Sequence, residues 1–117
     1  MLLRMTSRPL RLQLSRRKGF NLQAASRAAN GLQAVVVARP SRYCNPYVIG
    51  RDGTRQECIE MHRRELALRW ANPTLRPLLR KQLEELRGKN LACWCRIGEP
   101  CHGDTWLELA GRGPDQD

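Results

Sequence analysis

From Cys93 to Asp104 the chain reads Cys-Trp-Cys-Arg-Ile-Gly-Glu-Pro-Cys-His-Gly-Asp, so thiols, an imidazole and a carboxylate crowd into one short segment. A cysteine that opens a helix has its thiolate stabilised by free backbone N–H groups, and basic neighbours lower its pKa further. Cys101 follows Pro100, where a helix is expected to begin. The first reading is therefore a reactive thiol at Cys101 with Cys95 nearby, and His102 or Asp104 as proton-transfer partner. Adjacent residues of a helix do not face one another, so a direct Cys101–His102 dyad is not expected.

A second reading is zinc. Cys93, Cys95, Cys101 and His102 supply suitable ligand atoms, and a small core gains from a metal staple. The spacing opposes it, because Cys-x-Cys followed by five residues departs from the usual Cys-x2-Cys pair. Thiols two apart on a strand share a face but stand roughly 6–7 Å apart at Cα, so the chain would have to bend. The third reading is structural: Cys93 in an apolar run, and Cys58 on a helix face, fit a core as small hydrophobes.

A second polar cluster, Arg-Pro-Ser-Arg-Tyr-Cys-Asn-Pro at 39–46, follows an apolar run. Arg39, Ser41, Arg42 and Asn45 are the residue types that grip a phosphate or carboxylate, since guanidinium forks bind such groups bidentately. The plain alternative is a solvated loop pinned by prolines. His62 lies beside a helical stripe and reads as a packed histidine.

These clusters need elements to hold them. Alternation of Leu10, Leu12 and Leu14 with polar residues marks a strand over 10–16, and Ala34–Ala38 reads as a short strand covered on both faces. Between them 17–33 reads as a loop with a short helical turn near Ala24–Ala29. Thr54 and Glu57 fit a capping box that opens a helix carrying Ile59, Leu66 and Trp70, ended by Asn72-Pro73. Leu75, Leu79, Leu83 and Leu86 form the stripe of another helix, closed by Gly88. Asn90–Cys95 reads as a strand, and 101–110 as a last helix stopped by Gly111. The expected architecture is a small single α/β domain over residues 9–111, a short mostly parallel sheet flanked by about three helices. Residues 1–8 and 112–117 read as flexible tails. Both polar clusters follow strands, and open α/β sheets bind ligands beyond the carboxyl ends of their strands.

At 117 residues the chain supports one domain with a modest core. Its net charge of +10 is carried entirely before Asp52, the first acidic residue. Such a block attracts phosphates of a nucleotide or nucleic acid, or simply solubilises the chain. The basic start has the composition of a transit peptide, but its periodicity is that of a strand. No stretch resembles a membrane span, and five cysteines form no closed disulfide framework. A cytoplasmic protein with reduced thiols and no membrane partner is expected; its oligomeric state is left open.

Four blocks occur in order: Leu-Arg-Leu-Gln-Leu-Ser-Arg-Arg-Lys-Gly-Phe from Leu10, Val-Val-Ala-Arg-Pro-Ser-Arg-Tyr-Cys-Asn-Pro-Tyr from Val36, Leu-Arg-Gly-Lys-Asn-Leu-Ala-Cys-Trp-Cys from Leu86, and Pro-Cys-His-Gly-Asp from Pro100. Together they resemble a family of small phage, prophage and bacterial proteins, the domain of unknown function numbered 4326, over about residues 10–111. The resemblance implies shared positions at Arg39, Pro40, Asn45 and Pro46, and at Cys93, Trp94, Cys95, Cys101 and His102. It implies no settled activity. Cys44 stands where the family tends to have glycine, which would cost roughly 1 kcal/mol or more if φ there were positive. His62 stands where the family has an aromatic.

The expectation drawn from these residues is a domain that binds or acts on a nucleotide, nucleoside or nucleic-acid group. Arg39 and Arg42 would hold phosphate, Asn45 would orient the ligand, and Cys101 with His102 would line its reactive end. The alternatives are a non-catalytic nucleic-acid-binding accessory protein stapled by zinc, and a phage-type protein that binds a host protein.

Overall fold

A computed structural model describes residues 8–112, so the tails expected at 1–8 and 112–117 fall almost wholly outside the described residues. Three strands, β1 (Arg11–Gln13), β2 (Ala34–Val36) and β3 (Asn90–Cys93), pair in the order β1-β3-β2, and both pairings are parallel. The chain thus lays its last strand between its first two. All four residues of β3 are buried, as a central parallel strand requires. The alternation of strand side chains sets Leu91 and Cys93 on one face and Asn90 and Ala92 on the other.

The second strand departs from expectation. It was expected to be covered on both faces, but Val36 is 37% exposed because β2 is an edge of the sheet. Strand order, which no local pattern encodes, put β3 in the covered position. Backbone pairing still runs past the strand, from Val37 N–H to the Ala92 carbonyl at 2.9 Å.

Four helices join the strands among the described residues. The first, α1 (Leu22–Asn30), occupies the segment read as a loop. Asn21 caps it by accepting from the Ala24 N–H, and Gly31, at φ 82°, closes it with its N–H on the Arg27 carbonyl. Those two residues act as helix boundaries rather than loop formers. Only Ser26 of α1 is buried, which is why no apolar stripe revealed the helix.

The helices α2 (Arg55–Ala71), α3 (Arg76–Leu86) and α4 (His102–Gly111) pack on one another, and α4 packs against β3 and β1. The Thr54–Glu57 capping box opens α2 as expected. The residues that α2 buries are Cys58, His62 and Leu66, one turn apart, while Ile59 and Trp70 are half-buried. On α3 the expected stripe holds for Leu79, Leu83 and Leu86; Leu75 precedes the helix and is exposed. Gly88 follows the helix end at φ 77°. Trp106, 1% exposed, centres the core, with Leu66, Leu86, Leu91 and Val37 around it. Among the described residues no helix is long and apolar enough to cross a membrane.

Candidate functional site

Because the strands run parallel, the ends of β2 and β3 lie at one edge of the sheet, and both polar clusters leave from that edge. They meet there. A pocket of about 430 Å³ is lined by Arg39 and Asn45 from the loop after β2, and by Cys93, Cys95, Cys101 and His102 from the segment after β3. Arg55, on the first turn of α2, lines it as well. Ser41, Arg42 and Asp104 do not belong to its lining. Ser41 accepts from the Tyr43 N–H, and Arg42 pairs with Glu85 at 3.6 Å. Asp104 caps α4 by accepting from the Cys101 N–H, and its other oxygen takes Arg11 Nε at 3.1 Å.

The thiols converge because β3 stops at Cys93 and the chain bends at Trp94 and Cys95. That bend brings the Cys93 and Cys95 sulfurs to 3.8 Å. Cys101 enters from the far side of the loop as the N-cap of α4, in extended conformation. The three sulfurs all lie within 4.8 Å of one another. Packed this closely they share charge. The Cys93 thiol is held well below its ordinary pKa by hydrogen bonds from Cys101 and Cys95, and Cys101 is pushed up by the same pairing and by burial. The cluster therefore favours a thiolate at Cys93.

Cys101 and His102, expected to diverge, come within 3.9 Å, Sγ to Nδ1. The rule for neighbours on a helix does not apply, because the N-cap residue is not helical. His102 Nε2 lies 2.8 Å from the Val37 carbonyl, so Nε2 carries the proton and Nδ1 keeps a lone pair. Burial holds this imidazole below its ordinary pKa and hence neutral. His62 packs edge-on to His102 and Trp106. Burial above all, with the Arg69 charge adding to it, pushes its pKa down to about 4. Gly103 is buried in a tight spot, where a Cβ would stand 3.2 Å from Arg11 Cδ.

Sequence reasoning counted Arg11 as surface charge, yet its side chain is 7% exposed. It donates to the carbonyls of Cys95, Arg96 and Glu99 at 3.0, 2.8 and 3.0 Å, besides pairing with Asp104. One guanidinium fork thus moors the whole loop that presents Cys95. Arg11→Lys keeps the charge but not the fork, and is expected to cost about 2 kcal/mol, since hydrogen bonds from charged donors contribute roughly 1.5–3. Urea denaturation measures the stability. Alkylation of Cys95, followed by mass spectrometry, should quicken; an unchanged rate would rule out the mooring role.

Two further readings needed the structure. Asn45 spends its amide on the loop, donating to the Cys58 carbonyl at 3.1 Å and accepting from the Tyr47 N–H at 2.9 Å. Cys44 has no positive φ, so the expected strain is absent, and its side chain lines the pocket. Arg55 was missed, though it carried a signal: a cation in the first turn of a helix opposes the helix dipole and so calls for another reason to be there.

Comparison with family models matches residues 20–112 to Domain of unknown function (DUF4326). Neither the curated proteins nor the solved structures gave a match. The match begins after β1, although β1 pairs with the central strand and Arg11 braces the site, so the folded unit reaches further toward the amino terminus. With its four blocks, its parallel sheet and its Cys/His segment in place, the chain belongs to the DUF4326 family.

Proposed function

We propose that this domain binds a phosphate-bearing nucleotide or nucleic-acid group in the pocket between its two polar loops. The observation that carries this reading is the convergence of Arg39 and Arg55, from separate elements, on the pocket that the thiols and His102 also line. Guanidinium groups beside a mostly apolar cleft suit a ligand with a phosphate at one end and a flat ring at the other. Tyr47 and Trp94 supply aromatic wall to the same pocket. Asn45 shapes the loop, and Cys101 with His102 faces the inner end. All five cysteines are free, which supports a reducing compartment such as the cytoplasm.

The test is binding of adenosine and guanosine monophosphates by calorimetry, for the wild type and for Arg39→Ala and Arg55→Ala. Each variant is expected to bind about 10- to 100-fold more weakly, the loss of one charged hydrogen-bonded contact. Failure of every mononucleotide and of a short single-stranded oligonucleotide to bind, or full binding by both variants, would sink the reading.

A second reading has its own observation. Arg16 stacks on Trp94, its guanidinium carbon 4.3 Å from the ring centroid, and Trp94 is 42% exposed at the pocket rim. Such a pair offers a stacking platform and a cation to single-stranded nucleic acid. If the protein is a nucleic-acid-binding accessory factor, oligonucleotides bind more tightly than mononucleotides, and their affinity falls steeply with salt.

A further inference from the structure

We propose that Cys93, Cys95 and Cys101 form a mononuclear zinc site whose fourth coordination position opens into the pocket. This reading stands whether or not the pocket takes a nucleotide.

Its first support is distance. Three thiolates on one tetrahedral zinc, each with a bond of about 2.3 Å, place their sulfurs roughly 3.8 Å apart. Cys93 and Cys95 stand at 3.8 Å, and all three sulfurs lie within 4.8 Å of one another. In a 4Fe–4S cluster each cysteine sits on its own iron, and in a 2Fe–2S cluster each iron takes two, so neither gathers three cysteine sulfurs on one metal. Three sulfurs within 4.8 Å fit a single ion.

Its second support is what surrounds the sulfurs. Two of them accept N–H donors, as anionic ligands do. Arg55 Nη1 donates to Cys95 Sγ at 3.4 Å, and the Gly103 N–H donates to Cys101 Sγ at 3.4 Å. Three thiolates and one Zn(II) sum to a single negative charge, which the Arg55 guanidinium and the amino end of α4 offset. Second-sphere hydrogen bonds of this kind orient metal ligands and tune the ion.

Its third support is rigidity. One ligand ends the central strand, one follows a bend whose carbonyls are held by Arg11, and one caps a helix. The unusual Cys-x-Cys-x5-Cys spacing works because the bend at Trp94 removes the separation that a straight strand would impose. The fourth position falls to the pocket. His102 Nδ1 has a free lone pair 3.9 Å from Cys101 Sγ, but it is not within 4.8 Å of all three sulfurs. Zinc sites with three protein ligands keep the last place for water or a ligand atom. A donor atom of the pocket's ligand would take that place.

The test uses the full chain, reduced, stripped of metal by a chelator and titrated with Co(II) in the absence of nucleotide. The expected result is one Co(II) per chain with an intense near-ultraviolet thiolate charge-transfer band, displaced by Zn(II). Cys95→Ser should weaken binding by at least about 100-fold, the upper end of what loss of a second-sphere partner costs. Cys44→Ser removes a thiol that lines the pocket but lies outside the cluster, and should leave the titration unchanged. The absence of a charge-transfer band in the wild type, undiminished Co(II) affinity in Cys95→Ser, or loss of the band in Cys44→Ser would overturn the proposal. Should Cys95→Ser fail to fold, the wild type decides. Zn(II) must then protect Cys93, Cys95 and Cys101 from alkylation while Cys44 stays reactive, and equal labelling with and without Zn(II) overturns it. Because the readout involves no nucleotide, it is independent of whether Arg39 and Arg55 bind phosphate.

Discussion

Trp106→Ala is expected to lower stability by about 3–5 kcal/mol, the usual cost of emptying a large buried aromatic site. For a domain whose whole stability is of order 5–15 kcal/mol, that is about a fifth of the total or more. Trp106 is 1% exposed and stacks edge-on with Tyr43, ring centroids 5.4 Å apart. It also donates from Nε1 to the Tyr43 carbonyl at 2.8 Å. It therefore joins α4, which carries Cys101 and His102, to the loop that carries Arg39 and Asn45. Tyr43 is itself fixed by its hydroxyl on Glu85, and burial with that bond raises its pKa to about 12. Trp106→Phe keeps most of the packing but strands a buried carbonyl, and should cost about 1–3 kcal/mol. Urea titrations of both variants separate the two contributions. If alanine costs no more than phenylalanine, packing at Trp106 is not what holds the two halves of the site together.

Asn90→Leu should be nearly as damaging, at about 3 kcal/mol, although leucine has the same branched arrangement of side-chain heavy atoms as asparagine. Asn90 is fully buried on the central strand. Its Nδ2 donates to Ser26 Oγ and to Asn30 Oδ1, both at 2.7 Å. Its Oδ1 accepts from the Leu10 N–H and from Asn30 Nδ2, both at 2.8 Å. One amide thus ties α1, the chain entering β1, and β3 together, and an apolar replacement removes all four of these hydrogen bonds at a buried position. A thermal melt should drop by roughly 12–24 °C, at about 4–8 °C per kcal/mol for a domain near this size. Ser26→Ala alone should also destabilise, because Ser26 Oγ accepts from Asn90 and donates to the Leu32 carbonyl at 2.6 Å. Added to Asn90→Leu its cost should be smaller than in the wild type, since the bond between the two residues is already gone; fully additive losses would show that the Asn90–Ser26 contact contributes little.

Neither role was visible in the sequence. Asn90 read as the start of an apolar strand and Trp106 as a residue of the last helix; their partners lie 64 and 63 positions away. The elements read well where their cause is local. The capping box of α2 and the glycine after α3 involve residues within four positions of one another, so residue type and spacing revealed them. The first helix failed because its boundaries are Asn21 and Gly31, residues that close helices and build loops equally well, and because it buries almost nothing apolar.

The candidate site divides in the same way. That Cys93, Cys95, Cys101 and His102 follow a strand and open a helix was legible from Asn90–Cys95 and Pro100 alone. That the three sulfurs share one point depended on a bend, and the bend depends on Arg11, a residue of the opposite edge strand. Ser41, Arg42 and Asp104 resembled ligand contacts by type, but they are engaged elsewhere by turns, pairs and caps. Arg55 looked like helix surface and lines the pocket.

By itself, then, the sequence determined a small parallel α/β domain of the DUF4326 family with its chemistry placed after two strands. Caps, turns and hydrophobic periods act over a few residues, and any sequence displays them openly. The tertiary structure decided the strand order, the depth of Arg11 and Asn90, and the meeting of Arg39 and Arg55 with three cysteines. Those outcomes rest on contacts between residues dozens of positions apart, which arise only once β3 has entered between β1 and β2.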